Sequence, residues 1–178
     1  MRDVVKALEK LNLAWYLTGS EALAAYGTPR QTLDIDIVID AAVESIGQLA
    51  HALEDDHYFA EPLRFGNRWM ASLVDRSGGG KVDLIIRDPD PWACAAMDRR
   101  RHWEHPAWGP VWVSSLEDLI LAKLEWSEGT SELQLRDCRM LLRMNAQHID
   151  HEYLAKWARD VGVDHLLVVV SESDADAS

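Results

Sequence analysis

The stretch that decides the fold is residues 17–39, which read LTGSEALAAYGTPRQTLDIDIVI. Its first part joins a short apolar segment, residues 13–17, to a helix expected over residues 21–26, for which Ser20 is a suitable N-cap. Its last part alternates apolar and polar residues, which predicts a β-strand over residues 32–40. The stretch therefore predicts a strand, a tight turn at Gly19 and Ser20, a short helix and a second strand.

The strand predicted over residues 32–40 has two different faces. Asp34 and Asp36 lie on one face with their backbone positions about 7 Å apart, and the other face carries Leu33, Ile35, Ile37 and Ile39. A third aspartate, Asp83, interrupts an apolar strand expected over residues 82–87. Hard divalent cations prefer oxygen ligands, so the three carboxylates predict a Mg²⁺ or Mn²⁺ site. The alternative is a solvated strand face whose acids serve solubility.

The rest of the pattern predicts an α+β fold, a small mixed β-sheet flanked by helices with a C-terminal helical part. Further extended segments are expected at residues 58–60, 68–75 and 111–114. Helices are expected at residues 3–12, 43–53, 115–126, 131–144 and 150–161. Residues 90–108 are expected to be irregular or helical, and residues 164–170 suit either a strand or a helix. We divide the chain into a core over residues 1–114, a helical part over residues 115–170 that packs on it, and a disordered acidic tail over residues 171–178.

Two charged residues occupy positions where helical periodicity calls for apolar side chains. Lys123 shares a stripe with Leu116, Leu119 and Ile120. In the next helix Asp137 shares a stripe with Leu133, Met140, Leu141 and Met144. Opposite charges on the inward faces of consecutive helices should meet. The pair either joins the two helices as a buried ion pair, or serves a functional site, or does both.

Composition limits the class of protein. The chain has 178 residues, of which 48% are hydrophobic, and a formal net charge of −12. This balance is typical of a globular domain and argues against general adhesion to nucleic acid. The sequence shows no apolar run long enough to span a bilayer and no secretion signal, so we expect a cytoplasmic protein without membrane contact.

One local basic patch, at residues 99–101, offers a place for phosphate contacts. Trp103, Trp108 and Trp112 follow it and could stack on bases, although tryptophan is more often a core residue. This patch is the only direct sequence support for an RNA substrate.

The combined pattern of a glycine–serine turn, an Asp-x-Asp strand and a later strand aspartate resembles the polymerase-beta-type nucleotidyltransferase superfamily. It is more narrowly similar to the AbiEii-like abortive-infection toxin nucleotidyltransferases and their minimal relatives. The narrower similarity rests on Tyr26, Gly27, Arg30, Thr32 and the helix at residues 115–124. The resemblance covers about residues 13–145 and implies the nucleotidyltransferase fold.

The resemblance implies metal-dependent transfer of a nucleoside monophosphate from an NTP to an acceptor hydroxyl, with release of pyrophosphate. The residues that it implies for nucleotide binding are Gly19, Ser20, Arg30, Thr32, Lys123 and Asp137. The residues that it implies for metal binding are Asp34, Asp36 and Asp83; these and Lys123 form the implied catalytic set, with Asp83 also able to act as a base. The implied acceptor is RNA, such as a tRNA end, or a protein, and a cognate antitoxin or toxin is an implied partner.

Two alternatives remain open. The first is a non-catalytic partner-binding module of the same fold, such as an antitoxin or a regulatory subunit. The second is an antibiotic nucleotidyltransferase, because cationic aminoglycosides would suit the acidic charge balance.

Overall fold

The computed structural model describes residues 1–172, which form one mixed β-sheet flanked by helices. The strands are β1 (Ala14–Leu17), β2 (Asp34–Asp40), β3 (His57–Phe65), β4 (Arg68–Asp75), β5 (Lys81–Arg87), β6 (Arg101–His105) and β7 (Gly109–Val113). The helices are α1 (Arg2–Lys10), α2 (Gly19–Ala25), α3 (Ile46–Ala52), α4 (Pro91–Asp98), α5 (Leu116–Ser127), α6 (Glu132–Met144), α7 (His151–Asp160) and α8 (Asp164–Glu172), with a 3-10 turn at Val43–Ser45. The α+β class expected from the sequence is confirmed.

The seven strands lie in the order β3-β4-β5-β2-β1-β7-β6. β2 runs parallel to β5 and β1 runs parallel to β7, while the other neighbouring pairs are antiparallel. This order places β2 and β5 side by side, each with a further strand at its other edge. β5 pairs with β4 along its length, and β2 pairs with β1 over residues 37–40, so the register of Asp34 and Asp36 is set by β5.

One face of the sheet packs on a hydrophobic core that it shares with the C-terminal helices. Ile37 and Leu84 contribute to this core from β2 and β5, and Leu119 and Ile120 contribute from α5; all four side chains are fully buried. Full burial of such a side chain contributes about 1.5–3 kcal/mol. The core also includes Val4 and Val170, close to both ends of the described chain. The helical part is thus continuous with the core of the sheet.

Most predicted elements are present, and the differences have local reasons. Residues 101–105, expected to be irregular or helical, form the strand β6. This strand lies at the edge of the sheet, pairs with β7 and has mostly polar, exposed residues. The segment expected at residues 58–60 is the longer strand β3. Leu33, expected on the apolar face of β2, precedes the strand and is 84% exposed.

The C-terminal end also differs from expectation. Residues 164–170 are helical, and the same helix, α8, continues through residues 171 and 172, which were expected to begin a disordered tail. The rest of that expected tail, residues 173–178, lies outside the described residues. Within residues 1–172 no helix has the length and apolar character that crossing a membrane requires.

Candidate active site

The register of two parallel strands brings the predicted carboxylates together. Asp36 on β2 is the direct neighbour of Asp83 on β5, and Asp34 is the neighbour of Lys81. Because side chains alternate along a strand, all four residues lie on the same face of the sheet, opposite the hydrophobic core. The sequence predicted that the aspartates share a face within β2; the pairing with Asp83 follows from the parallel register.

The turn between β1 and α2 lies directly against Asp36. The amide of Thr18 donates a hydrogen bond to the Asp36 carbonyl oxygen at 3.0 Å, which fixes the turn beside β2. Gly19 has φ of +60°, and a Cβ at this position would overlap the Asp36 carboxylate. Only glycine combines that backbone conformation with so close an approach.

Ser20 has a different role from the one expected. The N-cap residue of α2 is Thr18, so Ser20 lies inside the first turn and does not cap the helix. Its hydroxyl oxygen instead accepts a hydrogen bond from the Arg30 guanidinium. Thr32 hydrogen-bonds the backbone of Asp34 through its hydroxyl, at 3.0 Å to the carbonyl oxygen and 3.2 Å to the amide, and so shapes the entry into β2.

Asp83 is held by two neighbours. The Ser72 hydroxyl donates to its Oδ1 at 2.5 Å, and the Lys81 ammonium lies 2.8 Å from its Oδ2. The same Lys81 nitrogen lies 3.6 Å from Oδ2 of Asp34. The hydrogen bond with Asp83 raises the pKa of Lys81. Lys81 therefore stands between two of the three carboxylates.

The surroundings of Asp36 disfavour the charged form of its carboxyl group. Burial raises its pKa from 3.8 to about 6, and the negative charges of Asp83 and Asp34 add to the increase, while Lys123 and Lys81 oppose it. A raised carboxyl pKa shows that negative charge at this position is incompletely compensated.

The fit of these residues to a divalent cation can be judged from their chemistry. Within residues 1–172 no three His, Cys, Asp or Glu side chains are already grouped closely enough to hold a metal ion. The donor set nevertheless fits, because three oxygen-donor aspartates line one cleft and the charge on Asp36 is undercompensated. Asp34, Asp36 and Asp83 are therefore the residues that could hold Mg²⁺ or Mn²⁺.

Two consecutive helices contribute an ion pair, as the periodicity predicted. Lys123 on α5 and Asp137 on α6 are both buried, with Nζ 2.9 Å from Oδ2, and Lys123 also donates to Gln134 at 3.0 Å. Arg30 lies 3.9 Å from the same Asp137 oxygen, so two cations share one carboxylate. The chain of contacts from Asp137 through Arg30 reaches the Ser20 hydroxyl.

The stripe proposed for α6 was right for Leu141 and wrong for its other apolar members. Leu133, Met140 and Met144 are exposed, whereas the buried positions beside Asp137 are Leu135, Cys138 and Leu141. The α5 stripe is buried as expected, but α5 is enclosed on nearly all sides. A buried helix has no single apolar face, which limits what periodicity can predict.

One cleft of about 390 Å³ contains almost all of the predicted site residues. Its wall includes Gly19, Ser20, Arg30, Thr32, Asp34, Asp36, Asp83 and Lys123. Asp137 is the exception, because it lies behind Lys123 and is not part of the wall. The structure thus brings together the residues chosen for metal and nucleotide binding, and places Asp137 where it can position Lys123.

The cleft also has residues that the sequence reasoning did not single out. Arg68, Arg87 and Trp126 lie in its wall, and both arginines pair with Glu125 of α5, at 2.6 and 2.7 Å. Arg87 lies on the same face of β5 as Asp83, and the two-residue alternation after Asp83 was the signal that could have found it. Lys81, which is not part of the wall but contacts Asp34 and Asp83, could have been found by the same alternation, two residues before Asp83.

The basic patch expected to support RNA binding is largely engaged within the protein. Arg99 pairs with Glu117 at 2.9 Å, and Arg100 donates to the Met97 carbonyl oxygen at 2.6 Å. Two of the tryptophans already have ring partners, since His102 packs on Trp112 at 3.6 Å and His105 stacks on Trp108 at 3.7 Å between ring centroids. The arginine run therefore does not form a continuous free surface for phosphates.

Comparison with known proteins shows which fold the chain has. No protein-family model matches the sequence, and no curated protein is significantly similar to it. An antigenic nucleotidyltransferase-like protein from Paracoccidioides brasiliensis is similar in structure, with a TM-score of 0.61 and 19% identity over 98% of this chain and 88% of that one. The antibiotic-resistance factor ANT(2'')-Ia has a TM-score of 0.60 and 17% identity over 92% of each chain.

A third similar structure is a Thermotoga maritima protein assigned as a nucleotidyltransferase. Its TM-score is 0.56, with 21% identity over 76% of this chain and 87% of that one. At such identities structural similarity speaks for the fold and not for the activity. The chain has the nucleotidyltransferase fold.

Proposed function

We propose that the protein is a metal-dependent nucleotidyltransferase, which moves a nucleoside monophosphate from an NTP to an acceptor hydroxyl. The observation that carries this proposal is the contact of the Gly19 turn with Asp36, next to Asp83, in a cleft whose wall also carries Lys123. A phosphate-binding turn, paired carboxylates and a buried cation in one cleft are the components that phosphoryl-group transfer needs.

The nucleotide would be held by groups that donate hydrogen bonds to phosphate. These are the turn amides at Gly19, the Ser20 hydroxyl, the Arg30 guanidinium and the Lys123 ammonium, all in the cleft wall. Thr32 keeps the entry of β2 in place, and Asp137 orients Lys123 from behind. This arrangement supports binding of ATP or another NTP.

The transfer itself needs positioning and charge neutralisation. Mg²⁺ or Mn²⁺ held by Asp34, Asp36 and Asp83 would neutralise the triphosphate and its developing charge. The acceptor oxygen forms a bond to the α-phosphorus, the bond from the α-phosphorus to the oxygen bridging to the β-phosphorus breaks, and pyrophosphate leaves. Asp83, oriented by the Ser72 hydroxyl, would take the proton of the acceptor hydroxyl.

For the acceptor we propose RNA, such as a tRNA end, or a protein. The resemblance to AbiEii-like toxins supports a cytoplasmic toxin with a cognate antitoxin. The rival to this interpretation is a non-catalytic antitoxin or regulatory module of the same fold. An antibiotic acceptor is a second candidate, since ANT(2'')-Ia was also solved in complex with adenylyl-2''-tobramycin, with a TM-score of 0.57 and 16% identity over 99% of this chain.

The test uses each of four α-labelled NTPs with Mg²⁺, total RNA, a protein pool and tobramycin as acceptors. Wild-type protein should move label to one acceptor, and Asp36→Asn should abolish this transfer. The matched control is Asp40→Asn, at the exposed far end of the same strand, which should keep the activity. Full transfer by Asp36→Asn would show that the site is misplaced, and NTP binding without transfer to any acceptor would favour the regulatory module.

A further inference from the structure

Lys81 lies beside the cleft in contact with two of its aspartates, and the proposed reaction gives it no role. It lies opposite Asp34 in the register of β2 and β5, and two residues before Asp83 on the same face. The four side chains form a two-by-two array in which three corners are acidic and one is basic. The basic corner is Lys81, whose ammonium group contacts the carboxylates of both Asp34 and Asp83.

The contacts of Lys81 use the oxygens that a divalent cation would need. Its nitrogen lies 2.8 Å from Oδ2 of Asp83 and 3.6 Å from Oδ2 of Asp34. A cation that bridged these two aspartates would occupy the same space between them. Lys81 and such a cation cannot both make these contacts.

The balance of charges around the three aspartates also indicates that Lys81 opposes the binding of a divalent cation. Three aspartates carry three negative charges, and Lys81 compensates one of them at short range before any cation arrives. An incoming divalent cation therefore meets a site that is less negative than its three carboxylates alone, and it must displace an ammonium group. Both effects lower the affinity of the site for the cation.

We propose that Lys81 is an internal counter-ion of the cleft, which competes with the divalent cation for Asp34 and Asp83 and weakens its binding. The inference rests on the proposed function in one respect, the binding of a divalent cation by these aspartates. An NTP brings further negative charge to the cleft, so the cation fills the weakened site together with the nucleotide. Lys81 is a positioning residue in this scheme and touches no substrate.

Binding of Mn²⁺ to the full chain tests this inference without measuring activity. Free Mn²⁺ is followed by its paramagnetic resonance signal during titration of wild-type protein, Lys81→Met, Lys81→Arg and Lys6→Met. Lys81→Met should bind Mn²⁺ at least about fivefold more tightly than wild type, the lower end of a typical coupling between two ligands. Lys81→Arg keeps the charge and should stay near wild type, as should Lys6→Met, whose exposed ion pair on α1 is remote from the cleft.

The possible outcomes distinguish failure of this inference from failure of the proposed function. Equal affinities for wild type and Lys81→Met would overturn the role of Lys81, even if Asp36→Asn still abolishes transfer. Absence of Mn²⁺ binding in both proteins would overturn the role of Lys81 and the metal dependence of the proposed function together. If Lys81→Met does not fold, Lys81→Gln replaces it, and the rise of its melting temperature on addition of Mn²⁺ should exceed that of wild type; an equal or smaller rise would overturn the inference.

Discussion

The Asp36 carboxyl links the stability of the protein to pH. Its pKa is raised from 3.8 to about 6 by burial and by the nearby charges of Asp83 and Asp34. Between these values the folded chain holds the proton more firmly than the unfolded chain. Stability therefore falls as the pH rises through this range and becomes level above the folded-state pKa.

The substitution Asp36→Asn removes the titrating carboxyl group and with it this fall in stability as the pH rises. One pKa unit corresponds to about 1.4 kcal/mol, so the variant should gain at most about 3 kcal/mol in the free energy of unfolding at pH 8. At pH 4, where the wild-type carboxyl is protonated in the folded state, the gain should nearly vanish. Urea unfolding at several pH values without divalent cations measures the difference, with Asp40→Asn as the exposed control. A gain that did not depend on pH would contradict the assignment to Asp36.

Residues of the candidate site could be predicted where a local sequence pattern identified them. The alternation in β2 placed Asp34 and Asp36 on one face, and the interrupted apolar run identified Asp83. The position of Lys81 between two of these acids was not predictable, because it depends on which residues of β2 and β5 pair. A shift of the register by one residue would move every side chain to the other face.

At the scale of elements, the turn from β1 to α2 determines how close the backbone of residues 18–20 comes to β2. Gly19→Ala should reduce stability for two reasons, its positive φ and the overlap of its Cβ with Asp36. Gly27→Ala is the matched control, since Gly27 has φ of +76° but open space around its Cβ position. The control should cost about 1 kcal/mol, from the backbone conformation alone.

Gly19→Ala should cost clearly more than this control and should also weaken NTP binding, because Asp36 must move. Thermal unfolding measures the first effect, and titration with a fluorescent NTP analogue measures the second. Equal losses of stability in the two variants, with unchanged NTP binding, would show that Asp36 does not lie against the turn.

Elements whose hydrophobic pattern has a clear period could be predicted from the sequence. An element that depends on pairing with a neighbouring strand could not. The strand β2 follows from alternation, and the helix expected over residues 115–126 is α5, whose observed N-cap is Ser115. The edge strand β6 exists because β7 offers it a partner, and its own residues are polar. Its sequence therefore lacked the apolar alternation that identifies a half-buried strand.

At the scale of the whole molecule, the sheet and the C-terminal helices share one core. Leu116, Leu119, Ile120, Leu121 and Leu124 of α5 all belong to it. We expect residues 1–114 expressed alone to lack a cooperative fold, since the partners of these side chains would be exposed to water. Circular dichroism during heating should show no sharp transition for this fragment and a single transition for the full chain. A sharp transition of the fragment would show that residues 1–114 are an independent domain.

The sequence by itself determined which chemical groups the candidate site contains and much of the local structure. The glycine–serine turn, the spacing of Asp34 and Asp36, and the charged positions Lys123 and Asp137 follow from patterns within a few residues, because backbone conformation and periodicity act at short range. Only the tertiary structure decided which of these residues meet. The pairing of β2 with β5 placed Asp83 beside Asp36 and Lys81 beside Asp34, and the packing of α5 against α6 placed Asp137 behind Lys123. These contacts join residues far apart in the chain, so they depend on register and packing that no local pattern records.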